Sequence, residues 1–260
     1  LPYKFHLSQA MIYHLLLYEI LPHRIRRSLP FLGSEPASRA QSAVSWQCTS
    51  ESELKTLVGH MSIRRFKKND TIYHEQDNPT RIFFLVRGKV KIVKESGLGR
   101  AQIVRAVKEG EFFGFRAFFA NERYATSTIA FEDSTIAALP LKVLATFIST
   151  NTHIAQYFIH ELANMLGIAG ERIISLTQKH IRGRLADTIL VLKESYGYES
   201  DNATLAIVMN RDDLASMSNM STSNAIRTLS AFAQEGILSI AGKRIKIIDE
   251  EQLKKISKLG

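Results

Sequence analysis

Ser223, Arg227, Ser230 and Gln234 recur at steps of four, three and four residues, so a helix over this stretch carries them as one polar stripe. Hydroxyls, an amide and a guanidinium are groups that exchange hydrogen bonds with base edges, and an Arg presents paired donors to guanine O6 and N7. On the other side Ala225, Leu229 and Phe232 are spaced to pack inward. Ser221 can cap that helix, which makes Thr222, Ser223 and Asn224 its first turn. Upstream, Asn210 and Asp213 form a second capping pair, and Asn219 stands where a tight turn needs a residue that tolerates positive φ. The run 210–236 thus reads as a helix-turn-helix. Local spacing alone leaves a solvated helical hairpin open, but the segment after Gly236 tips the balance. Residues 237–240 and 243–248 are two short β-branched runs around Ala241-Gly242, a β-wing that puts Lys243, Arg244 and Lys246 within reach of phosphates.

Bulk charge adds little to this reading. The net charge is +9, yet residues 179–260 hold 12 basic against 10 acidic side chains, so a DNA footprint must come from a few placed groups. The single cysteine, Cys48, excludes an intrachain disulfide and any cluster that needs several thiolates from one chain, and it fits a reducing cytoplasm. The apolar run 11–21 contains His14 and Glu19 and is too short to span a bilayer; with no secretory flank nearby, an ordinary helix or an upstream extension is expected. Residues 33–45 are small and polar, as in a linker. No nucleophile, base and orienter pattern, Gly-rich phosphate loop or HExxH zinc motif is present, so no enzyme is expected. The competing class is a ligand-binding or oligomerisation module whose winged helix contacts protein.

The elements that must position the stripe lie upstream. Short β-branched and aromatic runs at 63–66, 71–74, 82–86, 89–94, 102–107, 125–131 and 134–139 alternate with Gly, Asn and Asp turns, which predicts a small roll or barrel with room for one ligand. The period then turns helical. Ala155, Phe158, Leu162, Met165 and Ala169, continuing to Ile173 and Leu176, form a narrow seam that predicts a parallel homodimer. A helix over 181–195 and a strand over 205–208 lead into the helix-turn-helix. The expected fold is α+β: a double-stranded, jelly-roll-like β-roll, a long dimerisation helix and a C-terminal winged helix-turn-helix. The expected segments are 1–49 (extension and linker), 50–150 (sensor roll), 151–178 (dimer helix) and 179–260 (DNA module).

This order of parts resembles the Crp/Fnr family of bacterial transcription regulators. The resemblance covers roughly residues 50–250 and rests on IYHEQD at 72–77, FFLVRGKVKI at 83–92, EGEFFG at 109–114, GRLADTIL at 183–190, and NRDDLASM with STSNAIRTLSAFAQEGIL across the DNA module. It implies base contacts from Thr222, Ser223, Asn224 and Arg227, with Ser221, Ser230, Lys243 and Arg244 beside them. Double-stranded DNA at a palindromic operator and RNA polymerase are the partners it implies. Thr222 and Ser223 stand where the cyclic-AMP branch has Arg and Glu, so a different operator is expected.

The resemblance also places an effector pocket. In nucleotide-binding members a Gly-Glu pair, an Arg-Ser pair and a Thr-Ser pair grip the ligand; those positions here are Gly114 with Phe115, Tyr124 with Ala125, and Ala169 with Gly170. An anionic phosphate without its Arg meets a large desolvation cost, so cyclic AMP is not the expected effector. Arg116 and Arg123 lie close by, and either one turned inward can still hold a small anion. The redox branch's iron–sulfur cluster is excluded by the single cysteine. A haem-based gas or redox sensor stays open through Met61, His74, His153 and His160, although His153 and His160 are two helical turns apart. An effector event near Phe115, Tyr124 and Ala169 is expected to re-space the two recognition helices of a dimer.

Overall fold

The computed structural model describes residues 51–95 and 101–260. The expectations for the extension, the apolar run, the linker, Cys48 and the turn at 97–99 lie outside the described residues. The chain gathers into two compact units; among the described residues the first holds 51–92 and 106–165, and the second holds 93–95, 101–105 and 166–260.

Helix α1 (Glu51–Gly59) precedes eight strands, β1 (Ser62–Phe66), β2 (Thr71–Tyr73), β3 (Arg81–Arg87), β4 (Val90–Glu95), β5 (Ala101–Val107), β6 (Phe112–Phe113), β7 (Ser127–Ala130) and β8 (Ser134–Pro140), all in the first unit except the end of β4 and most of β5, which belong to the second. They form two four-stranded sheets, ordered β1-β8-β3-β6 and β2-β7-β4-β5. Alternation along β3 explains the layering. Phe83 and Leu85 turn toward a core with Tyr73, Val90, Val107, Phe113, Tyr124 and Ile136. Ile82, Phe84 and Val86 turn the other way, onto a core shared with α1 and with helices α3 (Leu141–Thr150) and α4 (Thr152–Gln178). The two-residue β6 serves both cores, Phe112 entering one and Phe113 the other. A short helix α2 (Arg116–Phe119) follows it.

The second unit contains the later part of α4, then α5 (Ile181–Tyr196), α6 (Arg211–Met217), α7 (Thr222–Gln234), the antiparallel pair β9 (Leu238–Ala241) and β10 (Arg244–Ile247), and α8 (Glu250–Leu259). The α+β class and the sequence of roll, long helix and winged helix-turn-helix hold. The strand expected at 205–208 does not form: the ladder is reduced to the single bridges Tyr198 to Leu205 and Thr204 to Lys246. Leu205, Ile207 and Met209 are buried in alternation, so the segment packs like a strand although its backbone pairs at only these points. Helices α1, α2, α3 and α8 and strand β6 are additions to the sequence reading. Helix α8 has its own start signal, Asp249 accepting from the Gln252 amide at 2.8 Å.

Candidate nucleic-acid interface and effector pocket

Both helix starts of the DNA module are capped as the sequence predicts. The Asn210 side chain accepts from the Asp213 amide at 2.6 Å, and Ser221 Oγ accepts from the Asn224 amide at 3.3 Å. Between the helices Asn219 takes φ +49°, the left-handed conformation that the turn needs. Ala225, Leu229 and Phe232 are buried, whereas Ser223, Arg227, Ser230 and Gln234 are exposed along the outer face of α7. Buried Ser218 donates to Thr188 Oγ1 at 2.8 Å and ties the turn to α5.

The stripe is partly pre-set by internal bonds. Arg227 Nη2 donates to Asn224 Oδ1 at 2.5 Å, and Thr222 Oγ1 donates to Asp212 Oδ1 at 2.6 Å. On the wing Arg244 pairs with Glu199 at 2.5 Å and Lys246 with Asp201 at 3.3 Å. Lys243, beside the Gly242 turn, is exposed and has no ion-pair partner among the described residues. Arg211 fixes the wing to α6 by donating to Gly242 O at 2.8 Å. Sequence spacing found the outer stripe but not these acidic partners, which come from the 199–201 turn and from α6.

Arg172 on α4 organises the rest of this unit and was not anticipated. Its guanidinium donates to Ile103 O at 2.7 Å, Val104 O at 3.1 Å and Met217 O at 2.9 Å, and burial lowers its pKa. Ser216 Oγ accepts from the Ile103 amide at 2.7 Å and donates to Ala101 O at 2.7 Å, while Gln102 donates to Ser216 O. These bonds lock α6, the first helix of the helix-turn-helix, against the start of β5.

Of the residues expected around an effector, those from Gly114 to Ala125 lie in the first unit. Gly114 has φ +80°, and a Cβ there would stand 2.9 Å from Phe83 Cδ2. Phe115 is buried, edge-on to Phe158 with ring centres 5.2 Å apart. Tyr124 is buried too, stacked on Tyr73 at 3.9 Å, with its hydroxyl donating to Arg81 O at 3.1 Å. Burial is the main cause of its raised pKa, so the phenol stays protonated. Ala125 is half-buried. The two arginines point outward: Arg116 pairs with Glu122 at 3.1 Å, and exposed Arg123 donates to Gln76 O at 3.0 Å. Ala169 and Gly170 are exposed and belong to the second unit.

Part of the expected seam along α4 packs within the chain. Phe158 is fully buried in its own unit, and Leu162 and Met165 pack on the same core. Ala155 and Leu176 are half-buried. The stripe one residue on faces solvent, with Ile159 65% exposed, Leu166 75% and Ile173 63%, at steps of seven. Ala163 and Gly170 lie between them at heptad positions, and Ile173 with Ala169 is what remains exposed of the expected seam. Of the haem candidates, Met61 is a core residue, while His74, His153 and His160 are exposed. No group of three His, Cys, Asp or Glu side chains suited to a metal occurs among the described residues. No described helix is long and apolar enough to cross a membrane.

Residues 63–151 match the family model of the cyclic nucleotide-binding domain, and residues 183–256 match that of the Crp-like helix-turn-helix domain. The CRP-like cAMP-activated global transcriptional regulator of Mycobacterium tuberculosis is 21% identical over 209 residues, 80% of this chain and 93% of that protein. The structure of FixK2 from Bradyrhizobium japonicum aligns with a TM-score of 0.69 at 20% identity, over 75% of this chain and 96% of the other. That of the c-di-GMP responsive global regulator CLP of Xanthomonas campestris aligns with a TM-score of 0.65 at 18% identity, over 73% and 94%. These solved structures share the fold.

Proposed function

The chain belongs to the Crp/Fnr family of transcription regulators, and from that premise we propose that it binds a palindromic operator as a homodimer and senses an effector other than cyclic AMP. The observation that carries the DNA reading is α7, a capped helix with an apolar inner face and an outer face of Ser223, Arg227, Ser230 and Gln234. Such a helix enters the major groove, Arg227 reading a base and Lys243 of the wing meeting a phosphate. Two copies related by a twofold axis demand half-sites about 34 Å apart, one helical turn of DNA.

The dimer is assigned to the exposed ridge of Ile159, Leu166 and Ile173, whose heptad spacing suits a parallel pair of helices. Cyclic AMP is set aside because Phe115, buried edge-on to Phe158, and Tyr124, buried and stacked on Tyr73, stand where a ligand phosphate needs polar partners. The effectors named for similar proteins differ: the Mycobacterium protein is cAMP-activated, the Xanthomonas protein c-di-GMP responsive. In this reading the protein is a cytoplasmic regulator rather than an enzyme. Effector binding in the roll biases the spacing of the recognition helices.

The test is to select genomic fragments on the purified protein, derive a duplex, and measure gel-shift affinity against salt. A palindromic site is expected, with affinity falling steeply as salt rises. Equal affinity for every duplex, unchanged by salt, overturns the reading.

A further inference from the structure

A cavity of about 340 Å³ opens at one end of the roll, lined by Arg64, Arg81, His74, Asp77, Tyr73 and Tyr124 together with apolar side chains of β1, β3 and β8. Neither Phe115 nor Ala125 lines it, so it differs from the pocket that the family resemblance assigns, although Tyr124 contributes to both. Register explains how its cations gather. On β1, Arg64 pairs with Ile136 and Ser62 with Ala138, which also pairs with Phe83 of β3. Directly paired residues share a face, so Ser62 and Arg64 lie on the face of Phe83 and Ile136, and alternation adds Arg81. Arg81 Nη1 then donates across β8 to Ser62 Oγ at 2.9 Å, which brings its guanidinium to the edge that carries Arg64.

Arg64 is exposed and its side chain has no hydrogen-bond or ion-pair partner among the described residues, and His74 lines the same cavity. The facing carboxylate, Asp77, is engaged in its own turn and accepts from the His74 amide at 2.9 Å. Beneath them the Phe83, Tyr73 and Tyr124 rings stack, at 5.6 and 3.9 Å between centres. An aromatic floor with two guanidinium groups at the rim suits a flat apolar body that ends in an oxyanion.

We propose that this cavity binds a small ring-bearing oxyanion, a carboxylate or a phosphate ester, with Arg64 and Arg81 holding the anion and Tyr73 and Tyr124 beneath the ring. The proposal deepens the reading of the roll as a sensor and rests on it. A cavity of this size is at the small end of ligand sites, which limits the occupant to a compact molecule.

Calorimetric titration of the full chain with salicylate, phenyl phosphate, phenol and inorganic phosphate tests it without DNA. At least one of the two ring anions is expected to bind about tenfold more tightly than phenol or inorganic phosphate, and the preferred anion identifies carboxylate or phosphate as the ligand group. Arg64→Gln, at an exposed position free of internal bonds, is expected to weaken that ring anion about tenfold, with Arg64→Lys between the two. Ring anions that bind no better than phenol, or an Arg64→Gln chain that binds like the parent, overturn the proposal. Operator affinity of Arg64→Gln without ligand, measured separately, should equal the parent's; if the parent itself binds no operator, it is the regulator reading that fails.

Discussion

Asn224 holds the Arg227 guanidinium over the outer face of α7 before any DNA arrives, so part of the ordering cost of a base contact is already met. Arg227→Ala is expected to weaken operator binding by roughly 1–3 kcal/mol and to relax the preference at one base pair in each half-site. Competition binding against single-base operator variants reads this directly; a uniform loss across all variants reassigns Arg227 to a phosphate. At this scale the sequence was most legible where bonds are local. The caps at Asn210 and Ser221 and the turn at Asn219 depend on residues three positions apart, and all three formed. Thr222, Arg244 and Lys246 are expected beside DNA, and the ion-pair and hydrogen-bond partners they have here, Asp212, Glu199 and Asp201, lie at sequence separations that periodicity does not report.

A helix with two adjacent apolar stripes shows why element-level reading succeeds and then stops. Periodicity identified the long helix, but Phe158 and Ile159 each begin a plausible stripe, and one step along a helix is about 100° of rotation. Which stripe turns inward is decided by the roll: Phe158 meets Phe112 and Phe115, with ring centres 6.0 and 5.2 Å away. The two faces therefore respond differently to mutation. Leu166→Glu is expected to leave the fold intact and convert the dimer to monomer in sedimentation velocity. Phe158→Ala is expected to cost about 3–5 kcal/mol in denaturant unfolding, whatever the oligomeric state. If Leu166→Glu stays dimeric, the ridge is not the interface.

For the molecule as a whole, the last helix is where sequence reading was thinnest, because α8 is short and its packing partner, α5, lies some sixty residues earlier. An acid–base network joins them. Glu250 accepts from Lys193 at 2.7 Å, Lys254 at 2.9 Å and the Tyr198 hydroxyl at 2.9 Å. Hydrogen bonds from Lys193 first, and then Lys254, hold the Glu250 carboxyl down at about 2, while burial and the bond to Glu250 push Tyr198 up to about 12. A carboxyl lowered on folding contributes stability that is complete above the ordinary glutamate range and is lost as pH falls through it toward about 2. Glu250→Gln should therefore lower the melting temperature at pH 7 and have little effect near pH 2; an equal loss at both pH values removes the linkage. The exposed ridge on α4 has a further consequence, for gene dosage. Its three large side chains are separated by Ala163 and Gly170, with exposed Ile168 and Ile174 on the same helix. Where single chains outnumber pairs, the number of pairs rises with the square of chain concentration. In the proposed dimer, doubling the chain concentration then about quadruples the paired species, so the level of the protein is itself an input to operator occupancy.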